Sequence, residues 1–285
     1  MRILLVGSRG MLGRRLEESL RTRGELVTCA RTGADIALDV TDRDAVLSAV
    51  ISAKPSVIVN STAWTAVDKA ESETDAAFAV NSLAPGYLAE AADRLSAMLV
   101  HVSTDFVFDG TLGRAYVESD SVRPLSAYGR SKEEGERRVR SSCARHIIIR
   151  TQWLYGPDGK HFIATMLRLA REGKPLRVVC DQIGIPTCTV DVAESIGRLI
   201  DGGVAGTVHV ASRGETSWHG FACEIMRLAG IPASVSPIAT SEYPTPARRP
   251  AHSSLRNRVM EVTIGDRMPS WQDALAAYFH RWPPS

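Results

Sequence analysis

A tyrosine and a lysine four residues apart carry the clearest chemical signal in this chain, in the run Tyr128-Gly129-Arg130-Ser131-Lys132. On a helix the i,i+4 spacing puts both side chains on one face. A free phenol has a pKa of about 10, too high to exchange protons readily near neutrality. A neighbouring ammonium stabilises phenolate and draws that value toward the working pH, where general acid catalysis is efficient. Upstream, Ser103-Thr104-Asp105 closes an apolar run. A hydroxyl there, Thr104, can stand beside Tyr128 and donate to an oxygen on which negative charge develops. Tyr128, Lys132 and Thr104 are therefore the predicted catalytic set. Taken alone, the Tyr–Lys pair reads equally well as a half-buried Tyr beside a surface Lys.

The second signal is Gly7-Ser8-Arg9-Gly10-Met11-Leu12-Gly13, a GxxGxxG run between a short aliphatic stretch and an amphipathic one. Glycines Gly7, Gly10 and Gly13 permit a tight turn and close backbone approach, so amides at the helix start can face a pyrophosphate. The stretch Val27-Thr28-Cys29-Ala30-Arg31 lacks the carboxylate that commonly holds an adenosine ribose. Arg31 suits a 2′-phosphate instead, which favours NADPH and leaves NADH open; it suits a solvated loop nearly as well. Asp39-Val40 is placed for the Asp39 carboxylate to accept from an adenine amino group, or to form the turn before a helix. Ala63, Trp64 and Thr65 follow another strand, where small residues would let the backbone approach a cofactor. Lys132 can hydrogen-bond the nicotinamide ribose as well as serve Tyr128.

These residues need a scaffold, and the hydropathy pattern supplies one. Ile3–Val6, Leu26–Cys29, Val57–Asn60, Met98–Ser103 and His146–Arg150 read as strands. Helical stretches at Met11–Thr22, Asp42–Ala53, Asp75–Arg94 (with Pro85 breaking or restarting the pattern) and Ala127–Ser141 separate them. Short strands apolar on both faces, alternating with helices, predict an α/β fold: a doubly wound parallel sheet covered on both sides. The expected division is a cofactor-binding domain over 1–150, with later strands returning from about 176–210, and a substrate lobe over most of 151–285. The Pro/Ser/Thr-rich stretch Ile231–Pro250 is expected as ordered loop lining a cleft. Trp218-His219 reads as a structural pair starting a helix. Asp68, Lys69 and Glu71 read as a turn with local ion pairs, and Arg248-Arg249 as either a nucleotide-diphosphate contact or a basic turn.

Composition narrows the partners. The chain has 285 residues, 34 basic and 32 acidic, for a net charge of +2. That balance provides no field to recruit nucleic acid or an anionic membrane. Five scattered cysteines without CxxC or metal-ligand spacing fit reduced thiols, and the N-terminal run lacks the pattern of a signal peptide. The reading is a cytoplasmic protein with no metal site.

With these motifs in place the sequence resembles the extended short-chain dehydrogenase/reductases, and within them the dTDP-4-dehydrorhamnose reductase family. The stretches that carry the likeness are MRILLVGSRGMLG, WTAVDKAESE, HVSTDFVFDG, PLSAYGRSKEEGE, RTQWLYG, DQIGIPT and YPTPARRPAHSSL, which together span nearly the whole chain. The resemblance implies a Rossmann-type domain with a smaller, mostly C-terminal substrate lobe. It implies an oxidoreductase of cell-wall polysaccharide (dTDP-rhamnose) biosynthesis that reduces C4 of a nucleotide-sugar with NADPH or NADH. It also implies that Gly10, Met11 and Leu12 meet pyrophosphate, that Asp39 and Val40 meet adenine, and that Ala63, Trp64, Thr65 and Val102 line the remaining cofactor path. Thr104, Asp105 and Trp153 would meet the substrate, and Tyr128 would be the proton donor. Ala30 and Phe106 depart from the family pattern. Some members dimerise around Mg²⁺ held by glutamates; no glutamate cluster is visible here, and a homodimer stays open. Also open are a 4-ketoreductase acting on another activated deoxysugar and a non-catalytic regulatory subunit of the same fold.

Overall fold

The computed structural model describes residues 1–283 of the chain. Seven strands form one parallel sheet: β1 (Arg2–Val6), β2 (Glu25–Ala30), β3 (Ile36–Ala37), β4 (Val57–Asn60), β5 (Met98–Thr104), β6 (His146–Thr151) and β7 (Gly206–His209). Their spatial order is 3-2-1-4-5-6-7. Chain direction across the sheet reverses between β1 and β4, which opens a crevice at the carboxyl ends of those strands. Burial on both faces explains the unbroken aliphatic strands. Ile3, Leu5, Val59, Val100 and Ile149 pack under α1 (Met11–Arg21) and α6 (Thr189–Asp201). Leu4, Val6, Ile58, Leu99 and Ile148 pack under α2 (Arg43–Ala53), α3 (Ala84–Arg94) and α4 (Ala127–Ser142).

Local chemistry sets the helix ends. The Asp42 side chain accepts from the Ala45 amide at 3.0 Å and starts α2. Pro85 restarts the third helical stretch, as its position in the sequence suggested. It sits in the first turn of α3, directly after a π turn at Ala79–Leu83 that links α3 to Thr74–Phe78. The widened turn presents Asn81, whose amide clasps the Trp64 backbone at both N (2.8 Å) and O (3.0 Å) and also reaches Ser131. A π turn at a functional loop is a recurrent device.

The second half builds a lobe with its own core around Tyr155, Ile163, Phe221, Ile225, Trp271 and Leu275. Its helices are α5 (Phe162–Arg171), α7 (Trp218–Ala229) and α8 (Trp271–Arg281). Two expectations change here. Of the strands expected to return over 176–210, only β7 joins the main sheet, whereas Leu176–Val179 pairs with Val235–Ile238 in the lobe. Its alternating burial explains this, since Leu176 and Val178 face the lobe core and Arg177 faces outward. The stretch Ile231–Pro250 accordingly contributes a strand and a short 3₁₀ turn, and it does not line the cleft. The division at residue 150 is also crossed twice: Val107, Phe108 and Tyr116 belong to the lobe core, and α6 covers the main sheet. Among the described residues no helix is long and apolar enough to cross a membrane.

Candidate active site

A cleft of about 770 Å³ runs along the carboxyl ends of β1, β4, β5 and β6 and opens toward the lobe. Of the residues predicted for catalysis, cofactor and substrate, all but Gly13 and Asp39 line it. Gly13 lies behind the glycine loop, where a Cβ would strike the Gly7 carbonyl, so it is a packing glycine. Asp39 spends one carboxylate oxygen on the Thr41 amide (2.9 Å) and hydroxyl (2.7 Å), which holds its carboxyl below the usual range. It closes a turn, and Val40 and Leu38 face the cleft instead.

At the other loop glycines the backbone itself forms the wall. Gly7 adopts φ +87°, a left-handed conformation that costs glycine little, and an added Cβ would lie 2.9 Å from Ser61 Oγ and the Thr62 amide. Gly10 precedes α1 with no side-chain cap, leaving first-turn amides free beside the cleft. This glycine cradle at a helix start has the shape and polarity for a dinucleotide pyrophosphate. Arg9 and Arg31 line the same end, and the Arg9 guanidinium is tied back to the Gly33 carbonyl and to Glu17.

Tyr128 and Lys132 sit on the first turns of α4. Ser126 caps that helix by accepting from the Gly129 amide at 3.1 Å, and Glu71 accepts from the Ala127 amide at 2.8 Å. Gly129 lets the helix press onto the Phe106 carbonyl, where any Cβ would collide, and this brings Tyr128 beside Thr104. Phe106, the departure noted above, meets the Tyr128 ring edge-on at 5.7 Å between centroids.

The electrostatics differ from the sequence expectation. Lys132 is buried and donates to the Val102 carbonyl at 2.6 Å, and burial pushes its ammonium down to about 8 against the opposing charge of Glu136. Burial pushes the Tyr128 phenol up to about 12, Thr104 hydrogen bonding pulls the other way, and the Asp105 charge adds to the rise. Lys132 therefore does not draw the phenol toward neutrality here, because desolvation of the phenol dominates. The consequence is a phenol that stays protonated through the neutral range, which is the form a proton donor needs.

Thr104 has one proton, and it goes to Asp105 Oδ1 at 3.0 Å, while the Thr104 oxygen accepts from the Phe106 amide. Asp105 also takes the Ser253 hydroxyl from the lobe at 2.5 Å. As long as Asp105 is ionised it engages the Thr104 hydroxyl proton, which is then not free for the donor role foreseen. Burial lifts the Asp105 carboxyl to about 7 despite these bonds. The folded protein then holds a proton that the unfolded chain releases, so this group's stabilising effect is complete below about pH 4 and lost as pH climbs through about 7. Asp105→Asn should remove that decline: the unfolding free energy of the wild type, from urea titrations, should fall relative to the variant between those limits, by a few kcal/mol in total. Parallel pH profiles for the two proteins would contradict it.

Trp153 closes the lobe side of the cleft in a left-handed backbone conformation, φ +44°. Its ring is clamped between Gly184, where a Cβ would lie 2.5 Å from the ring, and Trp218, stacked at 3.6 Å and 11°. Trp218 lines the cleft as well, whereas its neighbour His219 is structural and bonds the Val235 carbonyl. Arg249 forms a bidentate pair with Asp68, at 3.0 and 2.8 Å, and straps the lobe to the turn after β4. Neither residue lines the cleft, and Asp68 makes a long-range pair in place of the local one expected. Asn81 and Arg9 were not assigned to the site from sequence, and Trp218 was read there as structural. Arg9, inside the glycine loop, and Trp218, in the Trp-His pair, carried a visible signal.

A family model described as the RmlD substrate binding domain matches residues 1–282. A dTDP-4-dehydrorhamnose reductase of Burkholderia thailandensis is 40% identical, with the match covering 96% of this chain and 97% of that protein. Among solved structures, a dTDP-4-dehydrorhamnose reductase from Clostridium acetobutylicum matches with a TM-score of 0.95 at 41% identity, covering 99% of each chain. One from Bacillus anthracis, in complex with NADP, matches with a TM-score of 0.93 at 34% identity, covering 98% of this chain and 99% of that one.

Proposed function

We propose, because this chain belongs to the dTDP-4-dehydrorhamnose reductase family, that it reduces the C4 keto group of a dTDP-4-dehydro-6-deoxysugar, converting dTDP-4-dehydrorhamnose to dTDP-L-rhamnose. The observation that carries this reading is the convergence of Thr104, Tyr128 and Lys132 at one end of a cleft whose other end is the glycine cradle. NADPH, when bound, supplies the hydride. Gly7, Gly10, Met11 and Leu12 would hold its diphosphate, and Lys132, Val102 and Ala63–Thr65 would flank its nicotinamide half. Arg31, at a strand end without a carboxylate, supports the phosphorylated cofactor over NADH.

Tyr128 would give its proton to the carbonyl oxygen as negative charge grows there. A phenol raised to about 12 is still a stronger acid than the product alcohol, so the transfer runs downhill. Thr104 would orient the phenol, and Asp105 would fix Thr104. Trp153, with Trp218 behind it, would present an apolar wall to the sugar from the lobe. Among the described residues no three His, Cys, Asp or Glu side chains gather as a metal-ligand set, and Arg14 and Arg15 of α1 meet Asp158 instead.

The test is NADPH oxidation by the purified protein with enzymatically made dTDP-4-dehydro-6-deoxysugars, followed by NMR of the product. Consumption with the 4-dehydrorhamnose substrate and a new C4 alcohol is expected. NADPH binding without oxidation of any such sugar would overturn the assignment and favour a regulatory subunit. Faster turnover of a different C4 ketone would move it to another deoxysugar.

A further inference from the structure

We propose that Lys160 is a cofactor-diphosphate ligand, carried on a turn that an Asp158–Arg15 ion pair latches over the start of α1. A dinucleotide diphosphate brings two negative charges to the glycine cradle, where helix-start amides supply only partial positive charge. A full cation beside the cradle would offset the remainder.

Most nearby cations are already committed. Arg9 is bound to Gly33 and Glu17 on the adenosine side. Arg15 pairs with Glu18 and Asp158 at 2.7 and 2.8 Å, and Arg14 faces Asp158 at 3.8 Å. Lys132 is engaged by the Val102 carbonyl. Lys160 lines the same cleft as Gly10, Met11 and Leu12, and among the described residues no carboxylate lies within ion-pair distance of it.

Its position is set by the turn that carries it. Leu154–Tyr155 leads into this turn and α5 leaves it at Phe162. Gly159 takes φ +77°, and a Cβ there would meet the Met11 side chain at 3.6 Å, so the turn lies directly on the first residue of α1. Asp158 fixes it there through Arg15, whose side chain is only 14% exposed. The latch and the ligand are thus neighbours in sequence with opposite charges. Asp158 faces the helix that builds the cradle, and Lys160 faces the cleft.

This inference rests on the NADPH reading above, and the experiment separates the two. The purified protein, Lys160→Met and Asp158→Asn are titrated with NADPH, adenosine 2′-phosphate and dTDP, following tryptophan fluorescence, at low and high salt. Lys160→Met should raise the NADPH Kd about fivefold at low salt, with the difference shrinking as salt screens the charge. Adenosine 2′-phosphate, which lacks the diphosphate, and dTDP should bind both proteins equally. Asp158→Asn should weaken NADPH in the same direction by less. An unchanged NADPH Kd in Lys160→Met overturns the proposal, as does a loss confined to dTDP, which would assign the lysine to the sugar nucleotide. Failure of the wild type to bind NADPH would instead sink the cofactor reading.

Discussion

Tyr128→Phe should abolish turnover, lowering kcat by roughly 10²–10⁴-fold, while NADPH binding stays intact. The loss follows from removing the proton donor at the carbonyl oxygen. Binding should survive because the Lys132–Val102 hydrogen bond and the glycine cradle do not depend on the phenol. Stability should not fall either, since the hydroxyl is desolvated and its removal leaves the Phe106 edge contact in place. The pH profile adds a second reading. With the phenol held at about 12, the wild-type reduction rate should show no limb from Tyr128 in the neutral range. Titration there belongs to Asp105 at about 7 and Lys132 at about 8. Full activity in Tyr128→Phe would sink the mechanism, and loss of NADPH binding would show that the residue acts on the cofactor.

The largest effect on stability is expected at Glu136. This fully buried carboxylate takes two hydrogen bonds from Arg150, at 2.9 and 2.7 Å, one from Ser103 at 2.7 Å and one from Arg140 at 3.0 Å. Burial alone would raise its pKa; the Arg150 hydrogen bonding and charge outweigh it and hold the group below its usual value. Its stabilisation is therefore present above the ordinary carboxylate range and lost below it, as pH falls through the lowered pKa of the folded state. Glu136→Ala leaves the Arg150 guanidinium, only 4% exposed, without its counter-charge. The cost should be about 3–5 kcal/mol, lowering the thermal midpoint by roughly 10 °C. A Glu136→Leu/Arg150→Met double variant should recover most of it, because removing both charges removes the desolvation penalty of each. Equal losses in the single and double variants would show that packing, not pairing, is at stake.

The same network matters to the site. Ser103 precedes Thr104 on β5, Arg150 precedes the Thr151–Trp153 segment, and Glu136 lies one helical turn beyond Lys132. One buried carboxylate thus joins the elements that carry Thr104, Tyr128 with Lys132, and the segment leading to Trp153. Glu136→Ala should lower kcat in the protein that remains folded.

Local pattern was enough to determine much of this protein. Strands buried on both faces must be aliphatic throughout, so β1, β4, β5 and β6 were legible along with the alternation that makes the sheet parallel. The i,i+4 rule placed Tyr128 and Lys132 together, and the glycine spacing marked the cradle, because these are contacts between near neighbours in sequence. What sequence could not determine was every property that depends on distant residues meeting. Burial, not Lys132, sets the Tyr128 phenol, since the desolvating groups come from several elements. Thr104 is committed to Asp105 and thereby to Ser253, 148 positions beyond Asp105. Leu176–Val179 joins the lobe because its partner strand lies there, and Arg249 meets Asp68 across 181 residues. The Tyr–Lys pair could be read from spacing alone. Its protonation state and its partners were decided only when the chain closed around it, because charge in a protein interior answers to everything packed nearby.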